Sequence, residues 1–426
     1  MTAEIAVYNK NCVALSADSA VTISGLGMHK IYNGAEKLFA LTKHHPVGLM
    51  VFGSGNLSSS PWELVIKEFR RKLGKKSYKT LEEYAEKFFL FVESSTNIIT
   101  EGMREESTFR FLSENVFKSL LDAYQSSKDN EFWVNFDINR FYAELEAHCH
   151  ELLQALSETD FLDDFNADDI DSARDYCKNY TEVILNAEIR DQDIPTPESL
   201  LEVVNEIFAT MLCKKSDIGN ISGLVLAGYG DDDYYPKVLA YDVCGFFKGK
   251  LRKAMNEGKC SANGISGVTP FAQDDEVMAF MQGGSQNLIN QLHTEYKGCL
   301  ATLLEHLDDV ISDSVIEEKQ ELVKEKIIAH AKSSLSETNQ KISEFMRVNY
   351  INKVVNMVEF LPKQDIAYMA ESLVNLTAFK RKVSDDSETV GGPIDVAVIS
   401  KSDGFIWVKR KHYFDKEMNY HFFARP

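Results

Sequence analysis

Residues 1–22 decide the predicted fold, and they read MTAEIAVYNKNCVALSADSAVT. Apolar side chains alternate in the segment 4–9, residues 9–11 are turn formers, and an apolar run continues over residues 12–17. This pattern predicts a β-hairpin. A threonine, Thr2, stands directly behind the first methionine, and a lone carboxylate, Asp18, follows the second strand.

A second pair of strands is predicted farther along the chain, at residues 37–41 and 47–52. The second of these strands leads into the turn Gly53-Ser54-Gly55. A helix follows, with Ser60 as its expected cap and Pro61 in its first turn. Its apolar stripe has helical spacing and is predicted to pack on the sheet. The stripe consists of Trp62, Val65, Ile66, Phe69 and Leu73.

The rest of the chain alternates between helical and strand-like segments. Helical periodicity dominates from about residue 75 to residue 220, and again over 284–348 and 365–382. Strands are predicted at 223–229, 236–243, 394–398 and 405–408. An order of strands, helices, strands, helices and strands predicts an α+β fold with antiparallel sheets.

Composition limits the classes of function. The chain has 426 residues, 44% of them apolar, which is enough for a large core. Its net charge of -19 disfavours nucleic acids and anionic membranes as partners. Seven scattered cysteines without a CxxC pair, and no signal peptide or apolar span, predict a cytoplasmic protein. No cofactor or metal site is expected.

Several of these features, taken in order, resemble the proteasome β-subunit family and its bacterial relative HslV. They are Thr2, the first hairpin, the segment 16–22, the Lys37 strand, the Gly53-Ser54-Gly55 turn and the amphipathic helix. The spacing from Thr2 to Asp18 equals the spacing from the nucleophilic threonine to the motif aspartate in that family. Residues 223–243, 269–273 and 391–399 resemble its central hairpin, the start of its next helix and its closing strand.

The resemblance implies a four-layer αββα N-terminal-nucleophile hydrolase fold carrying two long helical insertions. Residues 1–74 would form the first part of the core, 75–219 the first insertion, and 220–283 the continuation of the core. Residues 284–350 would form the second insertion. The C-terminal helix and strands of the core would then follow, over residues 351–426.

The same resemblance implies a threonine-type chemistry. Once Met1 is removed, the α-amino group of Thr2 can take the proton of the Thr2 hydroxyl, since a free amine of this kind has a reference pKa of about 7.7 to 8.0. Lys37 would lie beside the hydroxyl and lower its pKa. Asp18 would keep Lys37 charged and oriented. Lys30, in Lys30-Ile31-Tyr32, also fits the lysine motif, and Lys37 is preferred for its distance to the glycine turn.

Four further residues complete the predicted site. A backbone N–H at Gly53 is the expected oxyanion donor, which contributes about 3 kcal/mol to such a reaction. Ser266 lies one step from the position of the family's supporting serine. Asp386 and Thr389 keep the mutual spacing of its Asp-x-x-Ser pattern, with a shift of one residue relative to the glycines that follow.

These residues predict a hydrolase that cleaves amide bonds, most simply peptide bonds, through an acyl-enzyme on Thr2. Two alternatives stay open at this point: a catalytically silent scaffold that presents its helical insertions to a protein partner, and an amidase for a small molecule. Because family members assemble into rings that are often gated by ATPases, a homo-oligomer is expected. The insertions would block ring contacts, cap the site or bind a regulatory protein.

Overall fold

The chain folds into two compact units. The first unit comprises residues 1–35, 263–398 and 406–426, and the second comprises 36–262 and 399–405. The computed structural model describes residues 2–25, 28–128, 130–134, 136–189, 194–261, 263–314, 316–384 and 390–423.

The strands in the described residues fall into two five-stranded and two two-stranded sheets. In chain order they are β1 (Glu4–Tyr8), β2 (Val13–Ala17), β3 (Val21–Gly25), β4 (Met28–Tyr32), β5 (Leu38–Ala40), β6 (Val47–Gly53), β7 (Asn56–Leu57), β8 (Ser60–Pro61), β9 (Ser222–Gly228), β10 (Lys237–Phe247), β11 (Lys250–Met255), β12 (Gly267–Ala272), β13 (Asp395–Ser400) and β14 (Gly404–Lys409).

The helices account for most of the remaining residues. They are α1 (Trp62–Leu73), α2 (Leu81–Ser94), α3 (Glu101–Arg110), α4 (Lys118–Ser126), α5 (Asn130–Val134), α6 (Ile138–Ser157), α7 (Ala167–Glu188), α8 (Glu198–Cys213), α9 (Asp275–Gln282), α10 (Gln286–Ser314), α11 (Glu317–Met346), α12 (Asn352–Val358), α13 (Lys363–Val383) and α14 (Tyr420–Phe423). Two π-helical segments, Phe111–Phe117 and Arg347–Ile351, and a 3₁₀ turn, Glu257–Lys259, interrupt or join them.

The first unit is built on a sheet of order β12-β1-β2-β13-β14, in which β1 pairs antiparallel with both β2 and β12. All residues of β1 and β2 are buried, so both faces of these strands are covered. On one face, Ile5 and Val7 join a core with Ile366, Ala370 and Val374 of α13. The predicted first hairpin and the predicted helix near the C terminus are therefore confirmed.

One prediction in this unit is wrong. Residues 269–273 were expected to begin a helix, but residues up to Ala272 belong to β12, and α9 begins only at Asp275. Pairing with β1 decides this, because Ile5 lies opposite Pro270 and Val7 opposite Val268, in a ladder whose register shifts only between Glu4 and Ile5. The β-branched pair Val268 and Thr269 is also well suited to a strand.

The second unit is built on the antiparallel sheet β11-β10-β9-β6-β5. Its core joins the sheet to α1 and α2, and the apolar stripe of α1 is buried as predicted. Ser60 is not the cap of α1: its hydroxyl donates to Ile98 O at 3.0 Å, and Pro61 occupies the N-cap position without a side-chain bond.

The helical blocks differ in how they are buried. In the second unit, α2 belongs to the core of the sheet rather than to an insertion, since Tyr84 and Phe88 pack with sheet residues. The segment from Phe111 to Cys213 has its own core, to which Phe247 and Ala254 contribute. In the first unit, α10 and α11 form a hairpin with many exposed apolar side chains.

The protein is thus a mixed α+β protein with antiparallel sheets. None of the helices within the described residues has the length and apolar composition that a membrane crossing requires.

Candidate functional site

Asp18 is held in the first unit by hydrogen bonds from the backbone. Its side chain is completely buried, and its two carboxylate oxygens accept three backbone N–H groups. Oδ1 accepts from Ala3 at 3.1 Å, and Oδ2 accepts from Ala20 at 3.1 Å and from Gly391 at 3.0 Å. A carboxylate with this many N–H donors is held in one orientation.

Thr2 immediately precedes the residue that Asp18 holds. The Asp18 N–H donates to Ala3 O at 3.1 Å, so Ala3 and Asp18 exchange hydrogen bonds in both directions. Thr2 itself is 7% exposed. Thr2 is therefore buried directly before β1, next to the residue whose backbone Asp18 binds.

The Gly391-Gly392-Pro393 segment ties the Asp18 loop in place. Ser19 N–H donates to Gly391 O at 3.1 Å, and the Ser19 hydroxyl donates to Pro393 O. Gly392 has φ +75°, and a Cβ there would approach Asn33 Cβ to 2.8 Å, so only glycine fits. The strand predicted at 394–398 begins at Asp395, and the two glycines that precede it position the Asp18 loop.

Ser266 is not brought to Thr2. It precedes β12 at the end where Gly267 lies opposite Tyr8, whereas Thr2 precedes β1 at the end where Glu4 lies opposite Ala272. The two ends are separated by the length of the strand, roughly 14 Å for four residues. Ser266 is 8% exposed, and its Oγ has no hydrogen-bond partner among the described residues.

The residues that follow β12 at the Thr2 end are Gln273 and Asp274, which sequence reasoning missed. Gln273 has φ +45°, a left-handed conformation that is uncommon for residues other than glycine, and α9 starts two residues later. A supporting group from this turn would therefore come from Gln273 or Asp274. In the sequence, these two residues are marked only as a polar pair directly before a helix.

Asp386 and Thr389 lie outside the described residues.

In the second unit, Lys37 is 6% exposed and stands directly before β5. Its carbonyl oxygen accepts from Val51 N–H at 2.9 Å, which anchors it to β6. Lys30, the alternative, lies on β4 opposite Ile23 and is exposed. A lysine that modifies a nucleophile must be held in place, so burial favours Lys37.

The turn after β6 requires glycine at position 53. Gly53 has φ +71°, and a Cβ there would meet Ile221 O at 2.4 Å. The Ser54 N–H is already used, since it donates to Ile221 O at 2.9 Å on the β9 side. Successive N–H groups of a strand point to opposite sides, so the Gly53 N–H faces the β5 side, as the Val51 N–H does. Because the Ser54 N–H is already bonded to Ile221 O, the Gly53 N–H is the better candidate for an oxyanion donor.

Within the described ranges, no group of three or more His, Cys, Asp or Glu side chains is arranged to hold a metal ion. In the first unit the described site residues supply the Thr2 hydroxyl and the buried Asp18 carboxylate, and in the second unit they supply the buried Lys37 and the Gly53 turn.

Comparison with known proteins assigns no family to the chain. No protein-family model matches the sequence, and no curated protein matches it significantly. The function therefore has to be argued from the residues themselves.

Proposed function

We propose that the protein is a threonine-type amide hydrolase of the proteasome-like, N-terminal-nucleophile class, with Thr2 as the nucleophile after removal of Met1. The observation that carries the proposal is the reciprocal pair of hydrogen bonds between Ala3 and Asp18. These bonds hold Ala3, the residue next to the proposed nucleophile, against the buried carboxylate of Asp18. The number of residues between Thr2 and Asp18 is also the one that the resemblance requires.

The proposed four-layer fold accounts for the burial in each unit. Each unit contributes a five-stranded sheet, and α13 in one and α1 and α2 in the other pack on those sheets. Complete burial of β1 and β2 shows that both faces of these strands are covered, which supports the proposed fold.

In the proposed reaction, the free α-amino group of Thr2 accepts the proton of the Thr2 hydroxyl as the oxygen attacks the substrate carbonyl. By the resemblance, Lys37 is proposed to assist the Thr2 hydroxyl, and Asp18 is proposed to orient that lysine. The Gly53 N–H stabilises the oxyanion. The amine leaves with a proton, and water then hydrolyses the ester on Thr2. The proposed substrate is a polypeptide, and the enzyme is proposed to act in the cytoplasm as a homo-oligomer.

Intact mass spectrometry of the native protein tests this proposal. We expect a mass without Met1, and a single adduct after treatment with a peptide epoxyketone, which reacts with both the hydroxyl and the amine of an N-terminal threonine. Thr2→Ala should lose Met1 but form no adduct, and Thr22→Ala should form it normally. Retained Met1 together with no adduct on the unmodified protein would overturn the proposal.

A second candidate is a catalytically silent scaffold that binds a protein partner through its helical segments. The position of Ser266 favours it, because the turn at the Thr2 end of β12 carries Gln273 and Asp274 rather than a serine. A scaffold would form no adduct at Thr2, and its partner binding would be the same in the wild type and in Thr2→Ala.

A further inference from the structure

A buried carboxylate, Glu4, has no part in the reaction proposed above. It lies on β1, two residues after Thr2, and its side chain is completely buried. Glutamate is almost never fully buried unless its charge is paired, because removing a carboxylate from water is costly. A strand that served only for packing would carry an apolar residue here, as it does at Ile5 and Val7. The carboxylate must therefore be balanced by a polar or positively charged group.

The alternation of β1 places Glu4 and Thr2 on the same face. Ala3, Ile5 and Val7 belong to the core that α13 covers, so the side chains between them lie on the opposite face. Thr2 and Glu4 are neighbours on that face, roughly 7 Å apart along the chain. Side chains of a strand lean along its direction, and that of glutamate is long enough to reach the adjacent residue.

The other neighbours of Glu4 on this face are small and apolar. Ala17 of β2 and Ala272 of β12 lie opposite it, and Ala6 follows it on β1. Alanine methyl groups leave room for a carboxylate but offer it no hydrogen bond. Of these four neighbours, Thr2 is the one with polar groups, so the carboxylate is best balanced from the Thr2 side.

The pairing of β1 with β12 is irregular at Glu4. The register shifts between Glu4 and Ile5, since Ile5 lies opposite Pro270 whereas Glu4 lies opposite Ala272. A β-bulge re-aims the side chain at which it occurs, and bulges are frequent next to active sites. This irregularity is at the end of the ladder nearest the proposed nucleophile, so the local backbone gives Glu4 its own direction.

We propose that Glu4 is a positioning residue that binds the α-amino group of Thr2 and holds it beside the Thr2 hydroxyl. This inference rests on the proposed function in one respect, since Thr2 carries a free amine only after Met1 is removed. The carboxylate neutralises the protonated amine where little water is present, because Glu4 is completely buried and Thr2 is 7% exposed. An amine held in this way takes the proton of the hydroxyl from a fixed direction.

Glu4 also influences the pH at which the amine can act. A carboxylate beside an ammonium group favours its charged form, so Glu4 raises the pKa of the Thr2 amine. Two further carboxylates near this end of β1, Asp18 after β2 and Asp274 after β12, act in the same direction. Lys37, which is proposed to assist the hydroxyl, acts in the opposite direction. Because the amine accepts a proton only when neutral, its pKa sets the lower pH limit of the reaction.

Titration of the Thr2 amine tests the pair without requiring catalysis. The full-length chain is produced as a fusion that a protease cuts directly before Thr2, and its threonine nitrogens are labelled with ¹⁵N. The NMR signal of the amine nitrogen is separate from those of the amides, so its change with pH gives the pKa. We expect a pKa at or above the reference range of about 7.7 to 8.0. It should fall by at least about 0.5 in Glu4→Gln.

Glu371→Gln is the matched control, since it removes a carboxylate on α13 in the same unit, where Glu371 pairs with Lys409. The amine of this variant should titrate as in the unmodified chain. Glu4→Met fills a similar space without a charge and should show the same fall in pKa as Glu4→Gln. It replaces Glu4→Gln if circular dichroism shows that the latter does not fold.

Two results would overturn the pair. The first is an equal pKa of the amine in the unmodified chain and in a folded Glu4 variant. The second needs no variant: an amine pKa below about 7 in the unmodified chain would mean that its burial is not compensated by a carboxylate.

Epoxyketone adduct formation separates this inference from the proposed function. In a reactive protein, the pH midpoint of the adduct rate should move down in Glu4→Gln together with the pKa of the amine, which a loss of stability alone would not cause. A chain without adduct whose amine pKa depends on Glu4 would contradict the hydrolase and keep the pair. An adduct with the same pH midpoint in both chains would contradict the pair and keep the hydrolase.

Discussion

Ala3 and Asp18 are joined by two hydrogen bonds in opposite directions, from Ala3 N–H to Asp18 Oδ1 and from Asp18 N–H to Ala3 O, each 3.1 Å long. This pair closes the open end of the β1–β2 hairpin and places Thr2 at its edge. The same carboxylate also binds the backbone of Gly391, about 370 residues later in the chain. One buried side chain therefore links local and distant parts of the first unit.

Asp18→Ala should lower the free energy of unfolding by about 2–4 kcal/mol, because three buried N–H groups would lose their acceptor. Asp18→Asn should lower the free energy of unfolding by about half as much, because the amide oxygen of asparagine can still accept hydrogen bonds at one of the two oxygen positions. Chemical denaturation measures both changes. Asp122→Ala, on the exposed face of α4, is the control and should shift stability by less than about 0.5 kcal/mol. Equal stabilities for Asp18→Ala and the control would contradict this account.

Gly53→Ala should destabilise the protein by about 2–4 kcal/mol, because it combines a positive φ with a clash against Ile221 O. Gly55→Ala is the matched control two residues away, where a Cβ would meet nothing within 4 Å, and it should be nearly neutral. Thermal unfolding of the two variants gives the comparison. A similar melting temperature for both would show that the turn is not as tight as the structure indicates.

Replacing each lysine in turn should show whether Lys37 or Lys30 assists Thr2. Lys37→Met should slow epoxyketone adduct formation on Thr2 by at least about 100-fold, the effect expected when a group that tunes a nucleophile is lost. Lys30→Met, on an exposed strand, should react like the wild type. The rates follow from mass spectra taken over time. If Lys30→Met were the slow variant, the assignment of the lysine would be reversed.

Ser266→Ala should leave the reactivity of Thr2 unchanged, because Ser266 lies at the opposite end of the β1–β12 ladder. The free energy of unfolding of this variant should change by less than about 1 kcal/mol. An increase is favoured, because the variant no longer buries a hydroxyl without a partner. Adduct rates and denaturation curves measure the two effects. A large fall in the adduct rate would restore Ser266 to the site.

The cysteines should differ sharply in their reactivity. Burial raises the pKa of the Cys149, Cys177 and Cys213 thiols to about 12, so at pH 8 only about one in 10⁴ is ionised. At pH 9 these thiols are still almost entirely protonated, because their pKa is about 12. Cys299 is exposed, and we expect it to be the one thiol that reacts rapidly with maleimide in the native protein. Cys299→Ser should remove the fast phase; rapid labelling of several thiols would contradict the burial.

Much of the local structure was predictable from sequence. The first hairpin follows from its alternation and turn residues, and the buried stripe of α1 follows from its spacing. The cap of α1 was predicted incorrectly because Ser60 finds a distant partner, Ile98 O, instead of the first turn of the helix. Side-chain bonds to remote carbonyls leave no local sequence pattern.

The sequence by itself determined the first hairpin, the buried stripe of α1 and the spacing of Thr2 and Asp18, because these depend on neighbours along the chain. Only the tertiary structure decided that Asp18 binds Gly391, that Lys37 is buried while Lys30 is exposed, and that Gln273 rather than Ser266 stands at the Thr2 end of β12. These relationships depend on the pairing of strands and loops that are hundreds of residues apart, and a shift of one residue in such a pairing would change which side chains meet.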